Sequence, residues 1–245
     1  VIPWTLLDTA EIPGVGLSGK DGSLRLLQRG TEFSIRLAQC ELMNSRLSGS
    51  EEDLATLSAE RIRGRERPRV LIGGLGMGFT LRAALAAFPP GAELVVAELV
   101  PAVVAWARGP MAAMHGDSLS DPRVEIKVVD VIPLVAERKS AWDAILLDVD
   151  NGPDGLTRSG NDGLYDHAGL ARARTALKPG GVLAIWSSGP DAGFTRRLRQ
   201  SGLMVEEVKV RARKGHGTAR HVIWFATKPT GTGRTMDKAA DATAR

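Results

Sequence analysis

Cysteine is almost missing from this 245-residue sequence: Cys40 stands alone. No disulfide can close within the chain, no cysteine-based zinc cluster can form, and a reducing compartment suits it. Histidine is nearly as scarce. His115, His167, His216 and His221 share no paired spacing such as i, i+4, which argues against a metal site. Only His167, near the loop after the fourth main strand, is kept as a candidate acid-base group, against the plainer reading of a surface histidine at a helix start. No apolar run reaches the ~18 residues a membrane helix needs. The first residues also lack a basic segment followed by an apolar one, so the expectation is a soluble, cytoplasmic protein with no membrane partner. Nothing around Ser187 and Ser188 resembles Gly-x-Ser-x-Gly, which removes a serine nucleophile, and no internal repeat is present.

Charge of one sign does not dominate either. Lys and Arg number 32 against 28 Asp and Glu, a net charge of +4 that permits a nucleic-acid partner without demanding one. Arg61, Arg63, Arg65, Arg67 and Arg69 crowd together, yet no aromatic residue interleaves with them to stack a base. The run reads as a solvated linker, and nucleic acid is not the expected partner. With 43% hydrophobic and 24% charged residues the chain has the composition of an ordinary globular protein with one good core.

What is present falls into three stretches. Residues 1–66 carry short, partly alternating runs (Trp4-Thr-Leu-Leu, Ser23-Leu-Arg-Leu-Leu, Glu32-Phe-Ser-Ile-Arg-Leu) broken by glycine, the pattern of a small β flap of hairpins. A helix follows, with Ser50 as its cap and Leu54, Leu57 and Ile62 on its apolar side. Residues 67–229 alternate strand and helix: strands from Arg69, Leu94, Val124, Trp142 and Gly181, with helices over Val100–Met114, Tyr165–Leu177 and Asp191–Gly202. Two closing strands, Val205–Val210 and His221–Ala226, add an antiparallel edge. This predicts an α/β fold, Rossmann-like, with a seven-stranded, mostly parallel sheet and an antiparallel terminal strand. Residues 230–245 read as a disordered tail.

The chain is organised around Arg69–Thr80. Three aliphatic residues run into Gly73, Gly74, Gly76 and Gly78, and a helix begins at once, so the turn is a strand-to-helix cradle for a nucleotide or carboxylate. On its own such a turn also serves structure alone. Acidic residues at successive strand ends favour the cradle. Glu98 follows the turn at the distance from which a carboxylate accepts from ribose hydroxyls. Asp130 ends the third strand, where it can accept from an adenine amino group, while Asp148 and Asp150 end the fourth, beside the reacting end. The glycine order departs from Gly-x-Gly-x-x-Gly and points away from nicotinamide towards S-adenosylmethionine or its decarboxylated form.

At Val70–Gly78, Val96-Ala-Glu-Leu, Val129-Asp130, Ile145–Asp148, Leu164-Tyr165 and Leu177-Lys-Pro-Gly-Gly-Val-Leu the chain resembles the spermidine-synthase-like (polyamine aminopropyltransferase-related) proteins of the class I S-adenosylmethionine-dependent methyltransferase superfamily. The resemblance covers about residues 20–228 and includes the N-terminal flap. It implies an adenosyl sulfonium across the glycine turn, with Glu98 on the ribose, Asp130 on the adenine and Asp148 in the place of the catalytic acid. A homodimer joined through the flap accords with it.

The chain also departs from that pattern. True aminopropyltransferases place an acid inside the glycine loop, where this sequence has Leu75 and Met77. Asp148-Val-Asp-Asn-Gly-Pro153 replaces Asp-Ser-Ser-Asp-Pro, and Tyr165 is the only tyrosine. Because backbone N–H groups suit the carboxylate of intact S-adenosylmethionine, methyl transfer to a small amine-containing or other nucleophilic metabolite ranks first. Aminopropyl transfer from decarboxylated S-adenosylmethionine is the alternative; an RNA-modifying methyltransferase and a non-catalytic cofactor sensor stand behind both. Asp148 and Asp150 are the candidate catalytic groups. Asn151, Tyr165 and Arg46 are the candidate substrate contacts, with Glu41 and Asn44 beside Arg46, and residues 151–161 the candidate gate.

Overall fold

The computed structural model describes residues 2–14, 22–149, 162–212 and 220–230. Asp150, Asn151, the loop to 161, His216 and the tail beyond Thr230 lie outside them.

Two sheets make up the architecture. Strands β1 (Thr5–Glu11), β2 (Ser23–Arg29), β3 (Glu32–Leu37) and β4 (Cys40–Asn44) pair antiparallel in sequence order as the flap. The flap's last strand, Cys40–Asn44, is not among the runs read from sequence as flap strands. Helix α1 (Gly49–Arg61) leads to the main sheet, whose strands are β5 (Arg69–Gly73), β6 (Glu93–Glu98), β7 (Val124–Val128), β8 (Trp142–Leu147), β9 (Leu177–Ser187), β10 (Met204–Val210) and β11 (His221–Thr227). Their spatial order is β10-β11-β9-β8-β5-β6-β7. The strands from β5 to β9 run parallel, and β11 enters antiparallel between β9 and β10. The chain's last strand is therefore inside the sheet, with β10 at the rim.

Continuous apolar strands are what a sheet covered on both faces requires. Val70, Ile72, Ala144, Leu146 and Phe225 turn to one face, where they meet α1, α2 (Phe79–Ala87) and α3 (Pro101–Arg108). Their neighbours Leu71, Ile145, Leu147 and Trp224 turn to the other, against α5 (Val131–Ala136), α7 (His167–Ala176) and α8 (Ala192–Gln200). The period of two decides which helix each residue meets. The flap shares the first core: Leu24, Leu26, Phe33 and Ile35 are buried together with Val100 and Val103. Trp106, at core spacing on α3, also donates its indole N–H to Asp8 on β1 at 2.7 Å, binding flap to main unit.

The helices differ from the sequence reading in four places, the first being α1, which starts after Ser48, so that Ser50, expected as its cap, lies in its first turn. The helix expected over Val100–Met114 stops at Arg108 and resumes as α4 (Ala112–His115), because Pro110 supplies no N–H and disfavours a helical residue before it. The short α5 was not foreseen. It starts on Asp130, whose carboxylate accepts the Ile132 N–H at 2.9 Å, with Pro133 tolerated in its first turn. Asp162–Tyr165 forms a separate turn, α6, before α7.

The arginine run is largely occupied. Arg61 pairs with Glu206 at 2.5 Å and lies 3.6 Å over the Phe225 ring. Arg69 reaches Glu93 at 3.7 Å and stacks 4.4 Å over Trp142. Arg65 pairs with Asp143. Burial pushes the Asp143 carboxyl up, but the Arg69 N–H, Lys178 and Arg65 more than offset this and hold it below the usual carboxylate range. No helix of the described residues is long and apolar enough to cross a membrane.

Phe194 is fully buried, edge-on to Tyr165 and Trp224 with centroids 5.7 and 4.9 Å away. Phe194→Ala should lower stability by about 3–5 kcal/mol in urea denaturation. A loss below about 1 kcal/mol would mean that this layer is not a packed core.

Candidate active site

The site begins where β5 ends. Gly74 (φ +92°) turns the chain so closely under β8 that a Cβ there would run into the Asp148 carbonyl, and the φ itself suits only glycine. The Asp148 N–H in return bonds the Gly73 carbonyl at 2.9 Å. Gly76 gives room to the flap: a Cβ on it would lie 3.0 Å from the Met43 sulfur.

Glu98 ties this turn down. Its two carboxylate oxygens accept the N–H of Leu75 at 2.9 Å and of Val100 at 2.8 Å. Burial pushes the carboxyl up, opposed by backbone N–H groups of Val100, Leu75, Gly76 and Leu99. The sequence reading treats the amides of the glycine turn as open to a ligand. In the structure those of Leu75 and Gly76 face Glu98 and that of Gly74 bonds the Ala97 carbonyl at 2.8 Å. A carboxylate placed one strand away satisfies the turn from inside the protein.

Above the turn lies a crevice of about 820 Å³, counting its mouth. Its floor contains Gly74, Gly76, Glu98, Asp130 and Asp148, and the flap roofs it with Ile12, Leu24, Ile35, Leu42 and Met43. Five of the predicted residues are thus brought to one cavity at the carboxyl ends of parallel strands, the place where such sheets bind ligands. Its apolar walls and its carboxylates at separate strand ends are of the kind that could hold an adenosyl group. Asp130 divides its carboxylate between this wall and the cap of α5.

Asp148, expected from sequence at the reacting end, lines the crevice. Its Oδ2 accepts the Thr80 hydroxyl at 2.6 Å, and burial pushes its carboxyl up to about 6 despite that bond. Sequence reasoning passed over Thr80, the second residue of α2, and Glu51, in the first turn of α1. Burial, and then the charge of Asp148, push Glu51 up to about 7. The pairing of Ser50-Glu51-Glu52 with a threonine just past the glycine turn is the trace that sequence held of it.

The remaining predicted contacts lie elsewhere. The Tyr165 ring is buried against Phe194 in the second core rather than in the crevice lining. Arg46 forms an ion pair with Glu41 at 3.4 Å, and Glu41 also accepts from Asn44 at 2.9 Å and Ser34 at 2.7 Å. On β4 it is Leu42 and Met43 that reach the crevice, not these polar neighbours. His167 is an exposed first residue of α7, whose cap is Asp166. Among the described residues no cluster of His, Cys, Asp or Glu could hold a metal ion.

Comparison with known proteins gives this geometry a lineage. The profile of the "Spermine/spermidine synthase domain" matches residues 50–191, more than half of the chain. The chain belongs to this spermine/spermidine synthase family. It is 31% identical over 122 residues to a polyamine aminopropyltransferase of a Synechococcus species, covering 50% of this chain and 38% of that protein. A polyamine aminopropyltransferase of Nitrosomonas europaea is 33% identical over 127 residues, covering 52% and 37%. The match thus spans about two fifths of the length of these relatives. Among solved structures, a spermidine synthase from Thermotoga maritima superposes with a TM-score of 0.70 at 17% identity, covering 92% of this chain and 73% of that one. Human methyltransferase-like protein 13 in complex with SAH gives 0.56 at 18%, covering 76% and 86%. Both likenesses are of fold.

A carboxyl with a raised native pKa makes stability fall as pH rises from its unfolded to its folded value. For Asp148 that window runs from about 4 to about 6. His115, which burial and Arg82 lower to about 4, acts with the opposite sign over the same range, so the informative quantity is a difference. Asp148→Asn should gain on wild type by on the order of 2 kcal/mol between pH 4 and 6.5 in urea denaturation; a constant difference would mean that Asp148 titrates normally.

Proposed function

We propose that this spermine/spermidine synthase family member transfers a carbon group from an adenosyl sulfonium donor to an amine, and that aminopropyl transfer is the reaction. Sequence alone ranked methyl transfer first; the family match and the names of the curated relatives support the alternative better. One observation carries the choice of donor. The amide of Leu75, which would help to hold the carboxylate of intact S-adenosylmethionine, bonds to Glu98 at 2.9 Å instead, and that of Gly76 faces the same carboxylate. A second carboxylate beside Glu98 would meet a charge of its own sign with those donors already engaged. The decarboxylated donor does not bring that group. Methyl transfer keeps one observation in its favour, the lack of an acid between Gly74 and Gly78.

The donor supplies a sulfonium, which makes the attached carbons electrophilic. The chain supplies position and a base. Glu98 and Asp130 stand at the ends of neighbouring strands to orient sugar and adenine, and the apolar flap residues exclude water from the reacting carbon. Asp148, ionised above about pH 6, accepts the proton of the attacking nitrogen as the new C–N bond forms and the C–S bond gives its electron pair to sulfur.

Calorimetry with the two donors should give tighter binding for decarboxylated S-adenosylmethionine. Asp148→Asn should lower turnover with an amine acceptor by about 10²–10⁴-fold while donor affinity stays. Tighter binding of the intact donor together with methylation of an amine would replace this reaction by methyl transfer, and full turnover in Asp148→Asn would remove the carboxylate from the mechanism.

A further inference from the structure

Three side chains that the proposed transfer does not use form a chain of contacts beside the crevice. Ser50, fully buried near the start of α1, places its Oγ 2.6 Å from Glu51 Oε2 and 2.9 Å from His221 Nδ1. His221, the first residue of β11, is partly exposed and stands edge-on to Trp186 with centroids 5.0 Å apart. At the other end, the Thr80 hydroxyl lies between Asp148 Oδ2 and the main-chain carbonyl of Glu51, at 2.6 and 3.4 Å.

Asp148 and Glu51 are two carboxyls within one another's field, and such a pair titrates as a unit. The groups acting on Glu51 are Asp148 from the end of β8, Glu52 on its own helix, and Ser50, which links it to His221. With Asp148 ionised, Glu51 keeps its proton up to about pH 7.

We propose that Glu51, Ser50 and His221 form a proton wire that releases a proton to solvent whenever Asp148 takes one up. This rests on the reading of Asp148 as the base of the transfer. In the resting state protonated Glu51 donates to Ser50 Oγ, Ser50 donates to His221 Nδ1, and the ring proton sits on Nε2. Burial and, after it, the charge of Asp148 hold Glu51 neutral; protonation of Asp148 removes the second of these and makes Glu51 the stronger acid. Glu51 then gives its proton to Ser50 Oγ, Ser50 passes its own hydroxyl proton to Nδ1, and Nε2 sheds its proton to water. Burial lowers the affinity of His221 for a second proton, so the ring does not retain both. Afterwards Nδ1–H donates to Ser50 and Ser50 donates to the Glu51 carboxylate, so each contact survives with its direction reversed. One proton enters at Asp148, one leaves at Nε2, and the charge of the carboxyl pair is unchanged. Glu51 is in this sense a positioning residue: it acts through the charge of Asp148.

The test reads His221 directly and needs no substrate. In the 15N-labelled full chain, the His221 ring nitrogens should pass from the Nε2–H to the Nδ1–H form with a midpoint near pH 7. Asp148→Asn should move that midpoint down by about one pH unit. Glu51→Gln should abolish it, and Ser50→Ala should make His221 insensitive to Asp148→Asn; backbone amide spectra establish that each variant is folded. Identical His221 titrations in wild type and Glu51→Gln, or a midpoint indifferent to Asp148→Asn, would overturn the wire. Failure of the transfer itself would appear separately, as wild-type protein inactive with both donors.

Discussion

The bond between Glu98 and the backbone of the glycine turn is the contact on which the crevice depends. A turn with positive φ at three glycines leaves N–H groups that β5 cannot satisfy, and burial makes each unsatisfied group costly. Glu98 accepts that of Leu75 from the neighbouring strand, together with that of Val100 just ahead of α3. One side chain therefore fixes the height of the turn, the start of the next helix and the lower wall of the cavity.

The turn is also pressed from the other side. Because Gly74 passes directly beneath the Asp148 carbonyl, the ends of β8 and β5 are tied together, and Asp148 is held where the connections leaving the two strands diverge to opposite faces of the sheet. That divergence is the gap in which a parallel sheet binds its ligand. The flap closes it from above with aliphatic side chains and one methionine, so the carboxylates of the floor are partly removed from water. Desolvation then raises Asp148 and, with the help of Asp148, Glu51. For Asp148, a roof of leucine, isoleucine and methionine adds to that desolvation; Glu51 lies outside the crevice lining, on α1.

The same arrangement bears on the identity of the donor. The resemblance read from sequence sets Leu75 and Met77 where aminopropyltransferases are expected to carry an acid, and by itself that absence favours a donor with a carboxylate. Once the turn is folded, the Leu75 amide bonds to Glu98 and the Gly74 amide to the Ala97 carbonyl, which is the basis for proposing a donor without a carboxylate. Membership of the spermine/spermidine synthase family points in the same direction.

Sequence by itself determined the alternation of strand and helix, the position of the glycine turn, and Glu98, Asp130 and Asp148 at successive strand ends. These follow from local rules: period two in buried strands, glycine where φ is positive, polar residues where a strand stops. Tyr165 and Arg46 show where such rules end. A lone tyrosine after a loop and an arginine after a flap strand look alike in sequence whether they face a ligand, a core or a carboxylate. Tertiary packing sent Tyr165 against Phe194 and Arg46 to Glu41. Only the fold brought Glu51 and Ser50, early in the chain, against Thr80, Asp148 and His221. Contacts across such separations depend on how β11 inserts beside β9 and how α1 lies over the sheet, and no local pattern encodes a distance between elements that far apart.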